Sequence, residues 1–370
     1  MSSIASVLDQ LTKDGELFTR EENDAVRCVA CGHRCLIREG RRGICQVRFN
    51  EGGKLKVPFG YVAALQADPI EKKPFSHVLP GATALTFGML GCDFHCGYCQ
   101  NWYTSQAMRD PQSDSSIGLV RRISPTQMVE SARRTKASVI VSSYNEPLIT
   151  SEWAAAIFKE AKAAGLKCAY VSNGNNTPEV TEYLRPYLDA YKVDLKSMND
   201  KNYRKLGGVL QNTLDGIKRA RAMGLWVEVV TLIVPGFNDS NSELWEAARF
   251  LAGLSPDIPW HVTAFHQDYK MTDPDNTDAR TLQRAADIGR EAGLHFVYAG
   301  NLPGRVGEYE DTFCPGCNRP VVERRGYQVR AYRITGEGTC QNCGTRVPGV
   351  WTRDPGDVQL NGWGMPLPVY

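Results

Sequence analysis

Between about residues 82 and 300 the chain alternates short apolar or β-branched runs with longer stretches of helical periodicity. This alternation predicts βα units around a parallel sheet. The runs Thr83–Met89, Ser138–Ser142, Lys167–Val171, Ala190–Leu195, Trp226–Val234, His261–Ala264 and His295–Tyr298 read as strands, each bounded by turn residues. The helices between them have legible ends. Ser124 with Pro125 and Gln127 makes a capping-box start, and Gly165 and Gly224 stand where C-terminal caps are expected. Six or seven such units suit a partial (β/α)6-type barrel, whose ligands belong at the C-terminal ends of the strands. The segment Asp110–Gly118 reads as a polar loop, and the Pro- and Gly-rich tail from Pro348 as irregular.

The chain has 370 residues, enough for one large domain with small appendages. Lys and Arg number 43 against 41 Asp and Glu, so no bulk field draws the protein to nucleic acid or an anionic membrane. The first twenty residues lack the basic and apolar regions of an export signal, and no apolar run is long enough to span a bilayer. A cytoplasmic protein without a membrane partner is therefore expected. In a reducing compartment its 12 cysteines suggest metals rather than disulfides. Eleven of them fall into three groups: Cys28, Cys31, Cys35 and Cys45; Cys92, Cys96 and Cys99; and Cys314, Cys317, Cys340 and Cys343. Cys168 stands alone in an apolar run and reads as a small core residue.

The segment GCDFHCGYCQNW sets Cys92, Cys96 and Cys99 at C-x3-C-x2-C spacing directly after the first strand. A structural tetrahedral site closes with four protein ligands, whereas a reactive centre keeps a position open. Three thiolates on a four-iron cluster leave one iron free for the amino and carboxylate groups of a small molecule. The competing reading is a zinc site of Cys92, His95, Cys96 and Cys99. The spacing, with aromatic Tyr98 before the last cysteine, resembles the radical S-adenosylmethionine (SAM) superfamily.

That resemblance implies a [4Fe–4S] cluster on Cys92, Cys96 and Cys99, and a set of contacts to SAM around the barrel. SSYNEP (Ser142–Pro147) stands where relatives usually carry a Gly-Gly-Glu stretch; its glycines are absent, but Glu146 takes the place of the residue that receives the methionine amino group. VSNGN brings Ser172 and Asn173 toward the ribose and carboxylate. On the next strand Asp194 and Lys196 alternate with apolar residues and should face the barrel interior, where the methionine carboxylate would pair with the lysine. LIVPGFNDS (Leu232–Ser240) and Tyr98 are similar to adenine-contacting groups, and His266 to a ribose-contacting histidine. Over residues 80–305 the chain is most similar to the AmmeMemoRadiSam system radical enzymes, within the pyruvate formate-lyase activating enzyme-like group. The implied chemistry is reductive cleavage of SAM to a 5′-deoxyadenosyl radical that abstracts hydrogen from a substrate, with a reductant such as flavodoxin or ferredoxin.

At the C-terminus CPGC and CQNCG form two C-x2-C knuckles 22 residues apart, a zinc ribbon in which zinc is favoured over rubredoxin-like iron. Cys28, Cys31, Cys35 and Cys45 offer four ligands for zinc or an auxiliary iron–sulfur cluster. Their spacing is not ferredoxin-like, and zinc is favoured. The expected organisation is a Cys-rich segment 1–80, a radical SAM partial barrel 81–305, a zinc-ribbon-like module 306–352 and an irregular tail 353–370. Four functions fit: a modifying enzyme of the AmmeMemoRadiSam type, an activating enzyme for a glycyl-radical partner protein, an RNA-modifying enzyme, and a non-catalytic interaction module. Arg324, Arg325, Arg330 and Arg333 lie between the knuckles without a basic aromatic pattern, so nucleic acid is not expected as a partner.

Overall fold

A computed structural model describes residues 4–369. Seven parallel strands form the central sheet in sequence order: β1 (Thr83–Gly88), β2 (Ala137–Ser142), β3 (Lys167–Ser172), β4 (Ala190–Asp194), β5 (Trp226–Ile233), β6 (Trp260–Ala264) and β7 (Val297–Gly300). β-branched and aromatic residues fill them, and both faces are largely buried, as parallel strands covered by helices require. The sheet stays open: β7 lies at one edge, and at the other Ala64–Pro69 runs antiparallel along the whole of β1, with Leu367–Pro368 outside it. Those two edge strands come from stretches expected in the Cys-rich segment and in the irregular tail.

The helices follow local chemistry. Ser124 and Gln127 cap each other's backbone with Pro125 in the first turn, and Asp278 and Ser240 cap Ala279–Glu291 and Asn241–Leu254. In Ser151–Ala163 the residues Trp153, Ala154, Ile157, Phe158 and Ala161 recur at helical spacing and are all buried against the sheet. Asp110–Gly118 departs from the loop expectation: Pro111–Leu119 winds into 3-10 turns, started by the Asp110 carboxylate accepting from the Gln112 N–H at 3.0 Å. Cys168 is fully buried in the core.

The N-terminal residues form two small antiparallel sheets clamped onto the barrel. Arg48 reaches in to pair with Glu152 at 2.7 and 2.8 Å, the Thr177 hydroxyl donates to the Val29 carbonyl, and the Gly32 N–H donates to the Asn175 carbonyl at 2.7 Å. The C-terminal module is a three-stranded antiparallel sheet whose apolar residues join Phe296 and Tyr298 in one core. Its Arg324 donates to the Ser76 carbonyl at 2.7 Å and is buried, so that arginine faces the barrel and not solvent.

Candidate active site

The three central cysteines occupy the loop after β1. Cys92 accepts from the Phe94 N–H at 3.4 Å, Cys99 lies 3.2 Å from the Ser105 hydroxyl, and the Cys99 N–H contacts the Cys96 carbonyl at 3.3 Å. His95 takes no part. Its ring lies over Gly207, where a Cβ would sit 2.5 Å from Nδ1, and among the described residues no set of Cys92, His95, Cys96 and Cys99 brings three donors within 4.8 Å. The geometry is not that of a single tetrahedral ion.

One cleft gathers most of the predicted residues: Cys92, Cys96, Cys99, Glu146, Ser172, Asn173, Asp194 and Lys196 line it together, each at or just past a strand's C-terminal end. Glu146 is buried and already well held. One carboxylate oxygen accepts from the Ser172 hydroxyl at 2.7 Å and the Leu148 N–H at 3.1 Å, and the other from the Asn173 N–H at 2.7 Å. Burial, followed by the nearby Asp93 charge, pushes its carboxyl up to about 8, so a cation beside it would favour the ionised form. The preceding Tyr144 has φ +65°, a backbone conformation that glycine adopts freely. The loop thus keeps a glycine-like path without the glycine, tied down by Tyr144 Oη donating to Asp68 at 2.5 Å.

Asp194 sits between two ammonium groups, from Lys192 and Lys196, the latter at 3.3 Å. Burial raises its carboxyl, but the two lysines outweigh burial and hold it at about 2. Lys196 remains charged in spite of burial because the Asp194 carboxylate lies close. Two cations against one carboxylate leave an ammonium charge in excess beside Asp194, which suits a ligand carboxylate at that end of the cleft.

Tyr98 and His266 do not line this cleft, although Tyr98 packs in the same apolar cluster as Cys96. Tyr98 is buried in an apolar layer with Leu232, Val234 and Phe237, its ring edge-on to Phe237 at 5.9 Å. His266 is exposed, 2.9 Å from the Gln100 amide, and lines a second cavity of about 600 Å³ with Gln100, His261, Thr263, Tyr298 and Asn301.

Three further residues complete the site. Lys192 shares its strand parity with Asp194, a signal present in the sequence. Asp93, fully buried beside Cys92, accepts from the Asn173 and Asn175 amides at 2.7 and 2.9 Å. Asn238 donates to the Lys196 and Leu232 carbonyls and accepts from the Val234 N–H, fixing the end of β4 against the loop after β5.

The family model of the radical SAM superfamily matches residues 87–251, and the uncharacterized protein MJ0808 of Methanocaldococcus jannaschii is 33% identical over 90% of this chain and 98% of its own length. The chain belongs to the radical SAM superfamily. The pyruvate formate-lyase-activating enzyme of Staphylococcus aureus strain USA300 is 27% identical over 51% of this chain and 76% of its own. Among solved structures, a radical SAM methyltransferase from Sphaerobacter thermophilus overlaps 80% of each chain with 15% identity and a TM-score of 0.47. Membership makes the protein an enzyme that uses a [4Fe–4S] cluster and SAM. The donors present fit that pair: three thiols spread too widely for one ion open onto the same cleft as a buried carboxylate and a buried ammonium.

The C-terminal cysteines form a different kind of site. All four sulfurs lie within 4.8 Å of one another, with Cys314–Cys343 at 3.5 Å and Cys317–Cys340 at 3.9 Å. A tetrahedron with metal–sulfur bonds of about 2.3 Å has edges of about 3.8 Å, so one zinc or iron ion fits. No helix among the described residues is long and apolar enough to cross a membrane.

Proposed function

We propose that this radical SAM enzyme is of the AmmeMemoRadiSam type, with Cys92, Cys96 and Cys99 as cluster ligands and Glu146, Ser172, Asn173, Asp194 and Lys196 as the SAM-binding set. The carrying observation is the convergence of all eight side chains on one cleft. Bound there, the cluster and SAM supply a 5′-deoxyadenosyl radical able to take hydrogen from a substrate. Glu146 receives the methionine ammonium on the lone pairs left by Ser172 and Asn173. Lys196, steadied by Asp194 and by the Asn238 bond to its carbonyl, faces the carboxylate. Tyr98 closes the apolar side toward Phe237, where adenine would lie, and excludes water. His266 and Gln100 border the cavity of about 600 Å³, a volume within the usual range for a bound small molecule or an inserted side chain.

The match to MJ0808 covers 90% of the chain, whereas the match to the activating enzyme covers only about half of it. This favours the modifying-enzyme reading over activation of a glycyl-radical partner. The test is anaerobic reconstitution, reduction by dithionite or flavodoxin, and quantification of 5′-deoxyadenosine and methionine. Wild type should release both and Cys96→Ala neither; equal release by the two proteins would overturn the assignment.

A further inference from the structure

The remaining cysteines, at the N-terminus, have a geometry of their own. Three of them are buried and Cys35 is half-buried; the Cys28 N–H donates to the Cys35 carbonyl at 2.9 Å and the Ile44 N–H to Cys35 Sγ at 3.4 Å, so the four are gathered in one small fold. They do not converge as the ribbon cysteines do. Among the described residues no three of these sulfurs lie within 4.8 Å of one another, whereas one tetrahedral zinc would hold all four about 3.8 Å apart. In this they match Cys92, Cys96 and Cys99, whose thiolates sit on separate irons in the reading given above.

A second observation concerns what borders the set. Two buried side-chain nitrogens there lack a hydrogen-bond partner: Nε of Arg48, and Nε2 of His33, which meets the Asp93 carboxylate only at 3.8 Å. The Arg48 guanidinium lies close enough to act on Cys28 and Cys45. An orphaned guanidinium N–H in the interior is costly. Inorganic sulfide in a cluster offers acceptors that a lone zinc ion lacks, and the Arg48 charge offsets the negative charge of thiolates and sulfides.

We propose that Cys28, Cys31, Cys35 and Cys45 hold a second, polynuclear iron–sulfur cluster in place of a zinc ion. The comparison with the central trio rests on the cluster reading of that trio; the sulfur spacing and the orphaned donors do not. The site adjoins the central one. Gly91, next to Cys92, has φ +94°, and a Cβ there would lie 3.2 Å from the Cys45 carbonyl oxygen. His33 Nε2 is 3.8 Å from the Asp93 carboxylate. A redox-active centre therefore stands directly behind the SAM cleft.

The test uses full-length protein reconstituted without oxygen, as wild type, as a variant with Cys92, Cys96 and Cys99 all changed to Ala, and as Cys28→Ala/Cys35→Ala. Iron, acid-labile sulfide and zinc are counted, and reduced samples are examined by electron paramagnetic resonance. Wild type should hold about eight irons, eight sulfides and one zinc per chain, or about six irons if the second cluster has two. The central triple variant should keep its own reduced-state signal, and the N-terminal double variant should lose about a third to a half of the iron. About four irons with about two zincs in wild type would overturn the proposal even if neither variant is soluble. Failure of the central assignment shows separately, as a triple variant that retains all of the wild-type iron.

Discussion

The Arg48–Glu152 pair fastens the N-terminal module to the helix behind β2, and its removal should be felt strongly. Both side chains are 1% exposed, joined by two bonds of 2.7 and 2.8 Å, and Arg48 also donates to the Ile149 carbonyl at 3.0 Å. In Arg48→Met the glutamate keeps only two backbone N–H contacts, from Glu16 and Leu17, both at 3.3 Å. Leaving such a charge uncompensated costs about 3–5 kcal/mol. Replacing both partners, Arg48→Met/Glu152→Met, should recover at least about 2 kcal/mol, because no charge is then stranded. The pH dependence has a definite sign. Burial raises the Glu152 carboxyl, but Arg48 outweighs burial and holds it below its ordinary value, so the stability it contributes is present above the unfolded pKa of about 4.3 and is lost as pH falls through the folded one. Without Arg48 the same burial pushes the carboxyl up. The deficit of the single variant should therefore be largest near pH 7 and shrink toward pH 5. Urea unfolding of the metal-loaded protein at both pH values, followed by far-ultraviolet circular dichroism, measures this. A single variant within about 1 kcal/mol of wild type at pH 7, or a double variant no better than the single, would refute the reasoning.

Glu146→Gln keeps the shape but turns an accepting oxygen into an amide donor facing the Ser172 hydroxyl or the Asn173 N–H, and removes the charge that an ammonium would meet. Losing about 1.5–3 kcal/mol should weaken SAM binding about 10- to 150-fold in anaerobic equilibrium dialysis, and unchanged binding would remove Glu146 from the site. Gly91→Ala forces a Cβ to 2.8 Å from Val47 Cγ1 at φ +94°, and should cost about 2–4 kcal/mol in a thermal melt; an unchanged midpoint would contradict the close packing. Cys317→Ser/Cys340→Ser should lower the bound metal by about one ion per chain and open residues 312–347 to limited proteolysis, with full metal content and resistance as the contrary result.

The sheet was largely legible because parallel strands are dense β-branched runs whose two buried faces leave little room for another pattern. Trp226–Ile233, for example, ends within one residue of its expected limit. Edge strands carry no such signal: Ala64–Pro69 takes its identity from the partner it meets, and Leu367–Pro368 is two residues long. Within the site, motif and strand parity pointed to Cys92, Glu146, Asp194 and Lys196. Lys192 carries the same parity and was readable on that ground. Asp93 was not readable, because its role depends on Asn173 and Asn175, 80 and 82 residues away. His266 follows its strand as expected, but the turn after β6 directs it toward Gln100 and the larger cavity. The motif alone also left zinc open for the central cysteines; what argues against it is the packing of His95 over Gly207, a contact between distant segments.

The central claim is that three thiols hold a cluster whose remaining iron binds SAM. Low-temperature electron paramagnetic resonance of the reduced, reconstituted protein tests it most directly, before and after addition of SAM. The account predicts a cubane signal that changes shape when SAM is added, and its loss when Cys92, Cys96 or Cys99 is replaced by alanine. A spectrum with no component that responds to SAM, or a SAM-responsive component that survives removal of any of the three thiols, would contradict it.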